Sequence, residues 1–251
     1  MALNRVVQVT ALTHQGRVRS NNEDSILVGN WVRNAPMSKI HQWPLALEDP
    51  VVCLIADGMG GHAAGEVASQ HVASRISVAF PNFINTDNIN TTLHEINAEL
   101  YDLMARKPSC VGMGTTVVGI VFFQNQSIWF NVGDSRLYQH HKGHLRQISI
   151  DDVPDSLKDH ISGQGRQSHA ITQSLGGTKT IQPLAPHMGV NDLAVPSRWL
   201  LCSDGLTDMV DNDSIENCME AADLDAVLQL FNLAMIAGGE DNLSIIIASL
   251  N

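Results

Sequence analysis

The chain has 251 residues, 44% hydrophobic and 16% charged, enough for one sizeable core or two small ones and too apolar for a disordered chain. A net charge of −11 leaves no basic surplus to neutralise phosphates, which argues against a nucleic-acid partner. Four well-separated cysteines (Cys53, Cys110, Cys202, Cys218), with no CxxC pair, indicate neither a disulfide framework nor a zinc knuckle. The N-terminus lacks a signal-peptide stretch, and the longest apolar runs fall short of the roughly 20 residues of a membrane helix. A cytoplasmic protein with no membrane partner, monomeric by default, is expected.

VVQVTALT (6–13) alternates like a half-buried strand, and SILV is a short one. Residues 30–50 are mixed in composition and broken by proline, so they read as a loop excursion. VVCLIA (51–56) is a buried strand, and residues 62–80 carry apolar side chains at helical spacing. A second helix is expected from about Thr92, where Thr92-x-x-Glu95 resembles a capping box, through ELYDLMA. The strands TTVVGIVFF, SIWFNV, RLYQH and HLRQISI follow. The breaks between them, QNQ, GDS and HKG, are hairpin-sized and predict one antiparallel meander. Residues 150–197 read as irregular. RWLLCS is a strand, 213–222 and 224–237 are helical, and LSIIIASL closes the chain. This order predicts one α+β domain over 1–251 rather than a doubly wound sheet.

VVCLIADGMGGHAAGEVA can be laid on the dinucleotide fingerprint, a glycine-rich turn between strand and helix. Asp57 opposes that reading, because its carboxylate would repel a pyrophosphate held on the helix N-terminus. No second parallel strand follows either. Three other acids resemble Asp57: Asp134 follows SIWFNVG, Asp204 follows RWLLCS, and Asp241 precedes NLSIIIASL. Taken singly, each is an ordinary turn residue. Strand termini gather at one edge of a sheet, however, so the four are expected to converge, and confined carboxylates do not all stay ionised without cations. Oxygen ligands with no Cys or His among them point to Mg²⁺ or Mn²⁺. His140, His141 and His144 flank a Lys-Gly turn; a hairpin tip is the simpler reading than a zinc site.

In order along the chain stand Arg19-Ser-Asn-Asn-Glu-Asp24, ADGMGGH (56–62), GTT (114–116), GDSR (133–136), SDGLTD (203–208) and EDN (240–242). This set resembles the metal-dependent protein serine/threonine phosphatases of type 2C in their bacterial form. The resemblance implies a sandwich of two antiparallel β-sheets flanked by helices, with a binuclear metal centre between the sheets. It implies that Asp57 bridges two ions and that the Gly58 carbonyl contacts one of them. Asp204 and Asp241 would complete the first ion's ligands. Asp24 would serve the second, with Glu23 the variable member. Asp134 and Asp208 resemble the acids of a weaker third metal site.

The implied reaction is hydrolysis of phosphoserine and phosphothreonine on proteins by a metal-bridging hydroxide, opposing a serine/threonine kinase. Arg19 fits the guanidinium that grips phosphate, and His62 is either the acid for the leaving alkoxide or a capping residue of its helix. The alternative is a pseudophosphatase that binds phosphoproteins as a scaffold, although no ligand position is lost here. Cysteine-dependent and calcineurin-like phosphatases fail, for want of an arginine six residues after Cys202 and of a Gly-Asn-His-Glu run. The chain departs from the family between the meander and RWLLCS. There ISIDDVPDSLKDH replaces an Asp-His-Ser run, and a short flap is expected at about 150–175.

Overall fold

The computed structural model describes residues 5–60, 64–155, 170–193 and 196–250. Two six-stranded sheets stack face to face, and every strand pair within them is antiparallel. The first contains β1 (Val6–His14), β4 (His41–Ala46), β10 (Arg136–His141), β11 (His144–Gln147), β14 (Ser197–Cys202) and β15 (Leu243–Leu250), ordered β11-β10-β14-β15-β1-β4. The second contains β2 (Ser25–Val28), β3 (Trp31–Arg33), β5 (Val51–Ala56), β8 (Val117–Phe123), β9 (Gln126–Val132) and β13 (His187–Asp192), ordered β13-β9-β8-β5-β2-β3. Helices α1 (Ala64–Ala79) and α2 (Thr86–Arg106) lie against the second sheet. The single turn α3 (Asp204–Thr207), α4 (Asn212–Cys218) and α5 (Asp223–Ile236) lie against the first. This is the expected α-β-β-α sandwich.

The layering explains why β5 is an unbroken apolar run. Val51, Cys53 and Ile55 point between the sheets, while Val52, Leu54 and Ala56 face α1 and α2. Gly119 on β8 sits under the ring of Phe130 on β9, and a Cβ there would overlap the ring. The β10–β11 hairpin turns at Lys142 and Gly143, both at positive φ as a two-residue type I′ turn requires.

Four expectations are corrected. The 30–50 segment is not a loop: it supplies the edge strands β3 and β4. Strand β4 alternates half-buried and exposed residues and tolerates Pro44 because an edge strand has one unpaired side. The meander is two hairpins in different sheets, β8–β9 and β10–β11. The GDS break between them is a crossover through Gly133 at φ +99°. Helix α2 starts earlier than Thr92, at Thr86, because the Asn85 side chain caps it by accepting from Asn88 N–H at 2.9 Å. Thr92 lies inside the helix and donates back to the Asn88 carbonyl at 2.9 Å. The 150–197 stretch contains β13, paired with β9, and the short β12 (Leu175–Gly176). Residues 156–169 of the expected flap lie outside the described residues, as does His62.

Among the described residues no helix is long and apolar enough to cross a membrane. All four cysteines are buried and free.

Candidate metal centre

The strand ends of both sheets open onto one cavity of about 630 Å³. Asp57 leaves the end of β5. Gly58–Met59 (β6) pairs with Gly114–Thr115 (β7), which pairs in turn with β12, forming a small three-stranded sheet beneath the turn. The GTT segment pins the Asp57 backbone: its carbonyl accepts from Thr116 N–H at 2.9 Å and from Thr115 Oγ1 at 2.8 Å. Gly58 must be glycine, because a Cβ would strike the Glu23 and Gly65 carbonyl oxygens. The crossover at Gly133 delivers Asp134. Strands β14 and β15 are neighbours, so Asp204 after one and Asp241 before the other emerge side by side.

Of the residues singled out in the sequence, Arg19, Glu23, Asp57, Gly58, Asp134, Asp204 and Asp241 line this cavity. Asp24 lies just beneath the wall, fully buried. Asp208 is not brought to the wall; it is buried at the end of α3, where its N–H donates to the Asp204 carbonyl at 2.8 Å.

The electrostatics are those of confined like charges. Asp57 keeps some surface toward the cavity but is otherwise enclosed by protein. Burial, followed by the charges of Asp24, Asp204, Asp241 and Asp134, pushes its carboxyl well above the usual range. Asp24 is pushed up to about 7, chiefly by burial. The Ser244 and Ser203 hydroxyls, donating to Oδ2 at 2.6 and 2.9 Å, oppose the shift, whereas Asp204 and Asp241 add to it. Burial also raises Asp241 and Glu23. Arg19 stands at the cavity mouth, 56% exposed, with Nη2 2.7 Å from Asp241 Oδ2.

Divalent cations fit this donor set. Asp24 Oδ1 is buried without a hydrogen-bond partner, an expense that a cation would relieve. The wall supplies oxygen ligands, as Mg²⁺ and Mn²⁺ prefer. Among the described residues no three His, Cys, Asp or Glu side chains are grouped tightly enough to hold an ion unaided. Mg²⁺ commonly binds through one or two carboxylates and keeps several waters, so the fit does not need an all-protein cage.

Several supporting residues escaped the sequence reading. Asn242 Oδ1 accepts from Glu23 N–H at 2.7 Å, while its amide donates to the Gln15 and Asn21 carbonyls at 3.0 and 2.7 Å, anchoring the loop that bears Arg19. Asn22 is buried and donates to Thr13 Oγ1 at 2.9 Å. The motifs already contained both asparagines, but only the folded loops show what they hold. Ser203 and Ser244 meet at Asp24 from neighbouring strands, a pairing no local pattern signals.

Comparison with known proteins agrees with this architecture. The sequence pattern of the family described as protein phosphatase 2C matches residues 41–230. The serine/threonine protein phosphatase PstP of Mycobacterium tuberculosis is 31% identical over 250 residues, covering 97% of this chain and 45% of that protein. The chain thus spans under half the length of that relative. A Listeria innocua serine/threonine phosphatase is 30% identical, with 95% of this chain and 94% of that protein covered. In structure, the catalytic domain of PstP in complex with two manganese ions superposes with a TM-score of 0.80 at 30% identity, covering 98% of this chain and 99% of that one. The sheets and helices are thus those of a phosphatase-type sandwich. The chain belongs to the protein phosphatase 2C family.

Proposed function

We propose that the chain hydrolyses phosphoserine and phosphothreonine monoesters on proteins, using two divalent cations, Mn²⁺ or Mg²⁺, and opposes a serine/threonine kinase. The observation that carries this reading is the convergence of Asp57, Asp134, Asp204, Asp241 and Glu23 on one cavity, with Asp24 beneath it. Mutual repulsion makes that arrangement costly unless cations share it.

Asp57 would lie between both ions, with the Gly58 carbonyl on one of them. Asp204 and Asp241 would complete the ligands of the first ion, and Asp24 and Glu23 would serve the second. A weaker third ion would take Asp134, with Asp208 behind it. Bound cations of this kind lower the pKa of water toward neutrality and compensate charge on phosphoryl oxygens.

The chain's own groups orient the ester. Arg19 projects at the mouth, where its planar guanidinium suits two phosphate oxygens and is held by Asp241 on one edge. Met59 and Ile171 add apolar wall beside the acids, suited to the carbon part of a phosphorylated side chain. His62 is proposed to protonate the leaving alkoxide. The whole chain is read as one catalytic domain, monomeric and cytoplasmic, with its thiols kept reduced.

The test is hydrolysis of a phosphothreonine peptide with Mn²⁺, with and without chelator. Turnover that survives complete metal removal, or none with any divalent ion, would overturn the proposal. Manganese binding without turnover would favour the scaffold alternative, for which no feature of the cavity speaks.

A further inference from the structure

Asp152 has no part in the chemistry above, yet its carboxylate is a junction. Its side chain is only 11% exposed and meets three groups from separate segments. Gly133 N–H donates to Oδ2 at 2.8 Å, Gln173 Nε2 donates to Oδ2 at 2.9 Å, and His187 Nε2 lies 2.9 Å from Oδ1. The backbone repeats the link to Gly133 and adds one beside Gln173: Asp152 N–H donates to the Gly133 carbonyl at 3.0 Å, and Thr172 N–H donates to the Asp152 carbonyl at 2.7 Å. Neighbouring Asp151 is engaged elsewhere, with Arg136 at 2.8 Å.

The three partners matter because of what adjoins them. Gly133 immediately precedes Asp134 on the cavity wall, and a Cβ at Gly133 would press into Thr116, another wall residue. Gln173 follows Ile171, the apolar wall residue, by two positions, and its amide also braces against the Ala185 backbone. His187 begins β13, paired with Asn131 of β9 just before the crossover. One acceptor-only group therefore ties the turn bearing Asp134 to the segment bearing Ile171. An amide there keeps its oxygen for Gly133 and Gln173 only by turning its NH2 on His187 Nε2, and in either orientation it lacks the carboxylate charge that strengthens these bonds.

We infer that Asp152 is a positioning residue that sets the spacing between the Asp134 turn and the Ile171 wall, and thereby how the cavity admits the peptide around a phosphorylated residue. The inference rests on the phosphatase reading. A merely structural brace would affect unfolding but would not distinguish substrates.

The test compares kcat/KM for a phosphothreonine peptide and for p-nitrophenyl phosphate, with Mn²⁺, in wild type, Asp152→Asn, Gln173→Ala and the double variant. Small misplacements of binding groups carry large rate penalties. Asp152→Asn is therefore expected to lose about tenfold on the peptide, mainly through KM, and at most about threefold on the aryl ester. Gln173→Ala shifts the ratio the same way, and the double variant is no worse than the more damaging single variant, because both act on one link. Equal losses on the two substrates, or an unchanged ratio, overturn the inference whether or not the melting temperature moves. If Asp152→Asn does not fold, the Gln173→Ala ratio decides. A wild type inert on both substrates sinks the phosphatase reading and this role with it; an active wild type with unaltered variant ratios sinks only the positioning role.

Discussion

Removing cations should make stability fall as pH rises, against the usual behaviour of carboxylate-rich proteins. Asp24 moves from 3.8 to about 7 on folding, mainly because it is buried. Between those values the folded chain holds a proton that the unfolded chain has released. The stability contributed is fully present below pH 3.8 and is lost as pH rises through about 7. The full displacement corresponds to about 4 kcal/mol, of which about 3 kcal/mol falls between pH 5 and 8. That is a large share of the roughly 5–15 kcal/mol that holds a domain folded. Asp57, Asp241 and Glu23 are displaced in the same sense, while His14, lowered by burial, acts oppositely.

The assay is urea unfolding at pH 5 and pH 8, in chelator and in millimolar Mn²⁺. With a slope of about 3 kcal/mol per molar, the chelated midpoint should drop by about 1 M at the higher pH. Manganese should abolish the drop, because it binds the ionised acids of the folded state alone. Asp24→Asn, which keeps an oxygen for Ser203 and Ser244, should flatten the chelated profile. A chelated wild type as stable at pH 8 as at pH 5 would refute the reasoning.

Asp57→Asn should reduce aryl phosphate hydrolysis by about 10³-fold or more while leaving circular dichroism unchanged, since it removes charge and little packing. Its chelated form should unfold no earlier than wild type near neutral pH, having lost a buried carboxyl that must take up a proton on folding. Asp134→Ala should slow a phosphopeptide more than an aryl phosphate in steady-state assays; equal losses would argue against a third ion serving protein substrates. Gly119→Ala should cost about 1–3 kcal/mol in urea unfolding, because the new methyl group meets the Phe130 ring, with kcat/KM little changed.

The α+β order was legible in local patterns, whereas the sandwich followed from the resemblance carried by the ordered motifs; the acids that line the cavity also leave local marks. A strand buried on two faces is mostly apolar, β5 wholly and β15 apart from Ser244 and Ser249, and an acid beside such a run stands out. Edge strands leave weaker marks. Strand β4 contains proline and exposes alternate residues, so it resembles loop. The split meander was hidden because a Gly-Asp-Ser turn has the same composition whether it closes a hairpin or carries the chain to the opposite sheet. Partnerships across the fold, such as Ser203 and Ser244 at Asp24 or the three groups at Asp152, join residues far apart in sequence. They are created only when the strands pair.

On the proposed reading, carboxylates from separate strands hold a pair of divalent ions in one cavity. Anomalous X-ray diffraction from crystals grown with Mn²⁺ tests it most directly. Two manganese peaks flanking Asp57 are expected, one beside Asp204 and Asp241 and the other toward Asp24 and Glu23. A cavity without manganese, or manganese bound only away from Asp57, would contradict it.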